Sequence, residues 1–214
     1  MDPNVQWFYE KKAAGVIKAL QKNRMNGVYV PRAAEVTDQV LGMIPPGASV
    51  ALGGSLTISE TGLLDALRAS PNLELIDRYA PGLSRDEVME RLRQGLTADV
   101  FISGVNAITD DGQLFFVDAT CNRVAPILFG PRRVILVAGC NKIVPDVWQA
   151  RTRVIQFAAP ANAHRLARKT PCAATGVCAD CDSPDRICNA TVVIHKQADP
   201  QRLTVVLAGE SLGL

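Results

Sequence analysis

The run Val134-Ile-Leu-Val-Ala138, leading straight into Gly139-Cys-Asn-Lys142, is apolar throughout its first half and rich in β-branched residues. A strand of this kind has no polar face, so both its sides must be covered, as in a parallel sheet flanked by helices. Outward from it, apolar strands and amphipathic helices alternate. Val28–Val30, Ser49–Leu52, Leu73–Ile76, Asp99–Ser103 and Gln113–Val117 read as strands before it, and Thr191–His195 and Leu203–Leu207 after it. Helical spacing predicts helices over residues 5–26, Ala33–Met43, Ser59–Ala69, Asn122–Phe129, Val144–Arg153 and Ala161–Lys169. Ser84, with Glu87 three residues on, predicts a capping box opening a further helix, Arg85–Gln94. The alternation predicts an α/β fold: a mostly parallel sheet with helices on both faces.

The 214 residues, 48% hydrophobic, suffice for one substantial core, and no repeat or low-complexity linker divides them. Residues 1–214 therefore read as one domain, with a cysteine-rich excursion at about 170–190. A net charge of +2 gives no electrostatic footprint for nucleic acid, and the basic stretch His164–Lys169 reads as a helix face. No apolar run is long enough for a membrane span, and the N-terminal residues lack a signal-peptide pattern. The expectation is a cytoplasmic protein, where cysteines point to metal or redox roles more than to structural disulfides.

In open α/β sheets ligands bind beyond the C-terminal strand ends. Three loops there carry polar or glycine-rich sequence. Gly53-Gly-Ser-Leu-Thr-Ile-Ser-Glu-Thr-Gly62 combines close backbone approach at Gly53 and Gly54 with the hydroxyls of Ser55 and Thr57. It suits a phosphate or carboxylate at a helix start, or serves as a tight turn and cap. It matches neither nucleotide fingerprint. Glu60 is its candidate nucleophile or base, or a first-turn glutamate answering the helix dipole. Ser103, Gly104 and Asn106, with Thr120, Asn122 and Arg123, offer donors and one cation for an oxyanion. Asn141 and Lys142 follow the strongest strand, Lys142 as an anion partner or a snorkelling surface residue. Asp110-Asp-Gly112 reads as turn chemistry. Cys121 and Cys140 read as small buried residues, and His164 as a bystander to the segment it precedes.

That segment holds Cys172, Cys178, Cys181 and Cys188, spaced C-x5-C-x2-C-x6-C among Pro171, Gly176 and Pro184. Four thiolates complete a tetrahedral set. Zinc would make the site structural, with no open position; an iron–sulfur cluster would make it an electron-transfer station. The spacing does not separate them, and a reduced, unliganded loop or an adventitious disulfide stands as the third reading.

Taken together, Gly53–Gly62, Ser103–Gly112, Asn122–Pro131 and Val137–Val144 resemble the lactate-utilization (LUD) domain family over nearly the whole chain. A subset of that family is similar also in its Thr-Pro-Cys…Cys-x2-Cys…Arg-Ile-Cys-Asn segment. The resemblance implies a fold similar to the ribose-phosphate isomerase, glucosamine-phosphate deaminase and CoA-transferase superfamily. It further implies a part in oxidising L-lactate to pyruvate within a multi-subunit system that includes iron–sulfur partners. Gly53, Gly54, Ser55, Thr57 and Glu60 match the family's glycine-rich loop, and Ser103, Gly104 and Asn106 its second turn. The ligand so implied is a small anionic metabolite.

The leading expectation is a redox subunit binding a small hydroxy- or keto-acid near Glu60, with Lys142 or Arg123 on its carboxylate and the four cysteines relaying electrons. Two alternatives stand beside it. One is a non-redox isomerase or CoA-transferase-like enzyme with structural zinc, the other a metabolite-sensing module. A homo-oligomer is compatible with each.

Overall fold

The computed structural model describes residues 2–214. Its strands are β1 (Asn26–Val30), β2 (Ser49–Leu52), β3 (Glu74–Ile76), β4 (Val100–Gly104), β5 (Ala107–Thr109), β6 (Leu114–Asp118), β7 (Arg133–Gly139), β8 (Ile143–Val144), β9 (Ala190–Ile194) and β10 (Leu203–Ala208). Its α-helices are α1 (Pro3–Lys22), α2 (Val36–Leu41), α3 (Leu56–Glu60), α4 (Leu63–Ala69), α5 (Arg85–Gln94), α6 (Val124–Leu128), α7 (Val147–Arg153), α8 (Ala159–Arg165) and α9 (Pro171–Thr175). Six strands form an all-parallel sheet in the order β1-β10-β7-β4-β2-β3.

β7 shows why the apolar run behaves as it does. Side chains alternate across a strand, so Val134, Leu136 and Ala138 enter the core beneath α1 and α6. Ile135 and Val137 enter the opposite core, beneath α2, α3 and α4. Each such side chain, fully withdrawn from water, contributes roughly 1.5–3 kcal/mol, which leaves a polar substitution nowhere to point.

A second, mixed sheet of four strands, β8-β5-β6-β9, lies over the first core and is not foreseen from the sequence. Ile108, Leu114 and Phe116 face the main sheet, while Ala107 and Phe115 pack outward against Ala150 and Val154.

Several element boundaries differ from expectation, for local reasons. The helix expected over 5–26 ends at Lys22, and that over Ala33–Met43 is a 3-10 turn followed by α2. The one expected over Ser59–Ala69 is two short helices, α3 and α4, parted by Gly62 at φ +71°. Asn122–Phe129 contracts to α6. Val144 pairs with β5 as strand, so the helix expected from it starts only at Val147, where the Asp146 carboxylate accepts from the Gln149 amide at 2.8 Å. The helix expected to begin at Ala161 is instead the continuation of α7, joined through a π turn over Val154–Ala158. Pro160 has no amide hydrogen for the carbonyl four residues back, and the ladder widens just ahead of it. The capping box of Ser84 and Glu87 is present, although no residue of α5 is buried. Among the described residues, no helix is long and apolar enough to cross a membrane.

Candidate functional site

From β2 the chain proceeds outward to β3, whereas from β4 it proceeds to β7 on the opposite side. The gap between β2 and β4 is therefore the topological switch point, where crossover connections part and leave a crevice. Leu52 pairs with Ile102, and Gly104 with Val137, so Gly53, Ser103, Gly104 and Gly139 end their strands side by side.

Two glycine–serine contacts close that gap. A β-carbon on Gly53 would stand 2.5 Å from the Ser103 hydroxyl, and one on Gly104 would stand 2.5 Å from the Ser55 hydroxyl. Only hydrogen fits at either position. Ser55 also caps α3, accepting from the Ile58 amide at 3.4 Å. The Ser103 hydroxyl is buried with no hydrogen-bond partner. An unsatisfied buried hydroxyl costs about 1–3 kcal/mol.

Lys142 is brought here by the 3-10 turn Cys140–Lys142, which bends the chain inward directly after β7. It is 4% exposed, and its Nζ donates to Thr57 Oγ1 at 2.9 Å. Burial lowers its pKa to about 7; the charges of Arg153 and Arg123 act in the same direction and Glu60 opposes them. Lys142 is therefore not the snorkelling surface residue that is one of its two readings from the sequence.

Over Lys142 lies a strap, residues 212–214. Its Leu212 amide donates to Asn141 Oδ1 at 3.1 Å, and its Gly213 amide to Glu60 Oε2 at 2.6 Å. A β-carbon on Gly213, whose φ is +61°, would come within 3.3 Å of Lys142 Nζ. Glu60 and Asn141 thus hold the cover, while Thr57 touches both the strap and the amine.

Arg123 is committed elsewhere. Its guanidinium donates to the carbonyls of Gly104 (3.0 Å) and Val117 (2.6 Å) and to Asn106 Oδ1 (2.8 Å), with Asp118 3.7 Å from its Nε. The Asp118 carboxylate in turn accepts from the amides of Thr120, Cys121, Arg123 and Val124. Arg123 is a strut between two loops. Arg153, which the sequence reading does not select, donates to the Asn106 carbonyl at 2.9 Å from α7. Burial lowers its pKa, and no carboxylate pairs with it among the described residues. Its only sequence signal is a charged position on an otherwise apolar helix face, a weak one. Asn122 turns away, into a shallow cleft beside Arg78 and Arg91 under α5.

Cys172, Cys178, Cys181 and Cys188 are half-buried and line one cavity of about 20 Å³ with Ala159, Pro160 and Thr170. Among the described residues, no three His, Cys, Asp or Glu side chains stand in ligating geometry. Arg186 bridges the loop, donating to the Cys181 carbonyl at 2.7 Å and pairing with Asp180 at 2.8 Å. Cys140 is buried, its thiol pushed up to about 12 by burial, whereas Cys121 is exposed at φ +62°. His164 meets the Ala173 carbonyl at 3.0 Å, outside the cavity lining.

An open parallel sheet whose strand ends meet at a serine- and glycine-lined switch point, with a lysine turned inward beside it, defines an α/β protein of the open-sheet class. Residues 13–208 match the model of the LUD domain, and the chain belongs to the LUD (lactate-utilization) domain family. A crystal structure of a DUF162 family protein from Deinococcus radiodurans shares the fold, with a TM-score of 0.56 and 14% identity over 94% of this chain and 98% of that one. More distant is ribose 5 phosphate isomerase A from Neisseria gonorrhoeae, with a TM-score of 0.35 and 11% identity over 57% of this chain and 62% of that one. No curated protein matches.

Proposed function

We propose that the strand-end site binds a small 2-hydroxy or 2-oxo acid, of the lactate and pyruvate kind, for oxidation or reduction at C2. The observation that carries this reading is the half-buried Arg153 beside the buried Lys142, with no carboxylate pairing either among the described residues. The guanidinium of Arg153, half out of water with no carboxylate, is costly to hold there, and an anion removes the cost. Arg153 would hold the carboxylate, the Ser103 hydroxyl would find its partner, and the Lys142 amine, free of its proton in part near neutral pH, would take or return the proton on the C2 oxygen.

Cys172, Cys178, Cys181 and Cys188 would supply four thiolates to one centre, since all four line one cavity, but the loop would have to close around it, because no three of them stand in ligating geometry among the described residues. As an iron–sulfur cluster it would accept and pass on single electrons; as zinc it would clamp the loop. The loop is tied to the strand-end site at both ends, which supports the first. Ala159 and Pro160 of the cavity lie on the helix that carries Arg153, about 9 Å further along its axis. Beyond Cys188, Ala190 pairs with Asp118, the residue braced against Arg123.

Calorimetric titration of anaerobically purified protein with L-lactate, pyruvate and inorganic phosphate tests the first half. Pyruvate or lactate should bind, and Arg153→Gln should weaken binding at least tenfold. Equal affinity in that variant refutes the assignment. Elemental analysis with visible and EPR spectra tests the second half: a colourless protein with stoichiometric zinc eliminates electron relay.

A further inference from the structure

We propose that Lys142 is a covalent catalytic residue: its amine condenses with the C2 carbonyl of a 2-oxo acid in the strand-end site, forming an imine when residues 212–214 lift. The inference rests on the reading of that site as one for a 2-oxo acid, and for Lys142 it puts a covalent role in place of proton transfer at the C2 oxygen.

The geometry is that of an amine kept free of its usual counter-ion. Lys142 is almost wholly buried, and its one hydrogen bond is to a neutral hydroxyl, Thr57 Oγ1. Glu60, the carboxylate that acts on it, is engaged with the Gly213 amide. Arg153 from α7 and, less strongly, Arg123 from the loop before α6 add positive charge to its surroundings. A lysine desolvated next to other cations is how nucleophilic amines are made at neutral pH. The strap packs its Gly213 backbone against the nitrogen, so entry of a carbonyl carbon requires the strap to move.

The step balances without an oxidant. The nitrogen lone pair forms a bond to C2 while the carbonyl oxygen takes up a proton. The resulting hydroxyl then leaves with a second proton as water, both protons coming from nitrogen, and C2 is left doubly bonded to nitrogen. A borohydride reagent adds hydride to C2 and solvent supplies one proton to nitrogen, fixing a secondary amine.

The test is trapping. Full-length protein is incubated at neutral pH with pyruvate and cyanoborohydride, and modified residues are located by intact mass and peptide mapping. One reduced adduct per chain is expected, at Lys142. The exposed Lys18, Lys22 and Lys196 serve as internal controls. Standing in open solvent with no site to orient the keto acid against them, they should remain unmodified over the same interval. Lys142→Arg should give no adduct, and Glu60→Gln, which loosens the strap, should raise the trapping rate several-fold. The wild-type peptide map needs no variant to fold. If pyruvate binds by calorimetry yet Lys142 reacts no faster than the exposed lysines, the covalent role is refuted and the binding site stands. If pyruvate neither binds nor is trapped, both fall.

Discussion

Replacing Lys142 by Met should change how stability depends on pH. In the folded protein the amine titrates at about 7, against an ordinary value of 10.5. Between these values the unfolded chain holds a proton that the folded chain has released, so stability of the wild type rises with pH across that window. The lysine's contribution is most favourable above the unfolded value and is lost as pH falls to the folded one. Each pH unit of full difference is worth about 1.36 kcal/mol. Lys142 is half-protonated in the fold at the lower end, so the gain between about pH 7 and about pH 9 is roughly 2 kcal/mol. Met has a similar length and no charge. Subtracting its stability cancels every other titrating group, including the six cysteines. Urea midpoints of both proteins over this range, converted through a common slope, supply the assay. The wild-type-minus-variant difference should climb by roughly 2 kcal/mol. A flat or falling difference would refute the burial of an amine at this position, and with it the electrostatics of the site.

Further outcomes follow from the same contacts. Gly53→Ala should cost about 1–3 kcal/mol by overpacking against Ser103, and Ser103→Ala in the same chain should return part of it in a double-mutant cycle read by urea unfolding. Asp118→Asn should cost about 3–5 kcal/mol, because it strips the buried Arg123 of its one carboxylate; thermal unfolding reports it. Ser84→Ala should cost about 1 kcal/mol locally, but α5 buries no residue, so faster amide exchange in Arg85–Gln94 should appear with little change in the global midpoint.

Legibility tracked the number of residues that had to agree. β7 and β4 are buried on both faces, so each of their positions carries the same message and the strands read clearly. The capping box of Ser84 and Glu87 was legible because its two side chains satisfy one another without help from afar. β8, with two residues, exists only because β5 lies alongside to pair with it, and nothing in Ile143-Val144 signals that neighbour. Gly62 reads as the end of a motif; that it splits a helix depends on its positive φ. In the site, the glycine–serine loops were visible as composition, and Lys142 as a position after a strand. The strap over it was not visible, because Leu212 and Gly213 acquire meaning only opposite Asn141 and Glu60, far away in the chain. That Arg123 is a strut, and that Arg153 lies near Lys142, were hidden for a like reason. Which guanidinium is spent on backbone carbonyls depends on how two loops meet.

The position of β10 has a consequence for how this sheet comes into being. Residues 203–208 lie between β1 and β7, so Asn26 finds no partner until Thr204 is available. During synthesis β7 must wait as a bare edge, apolar on one face through Ile135 and Val137 and on the other through Val134, Leu136 and Ala138, while β1 has no strand to pair with. Closing so distant a pairing is slow, and an open parallel edge is a template for other chains. Emergence from the ribosome, before Leu203–Ala208 is inserted, is thus the interval in which this protein most needs a chaperone.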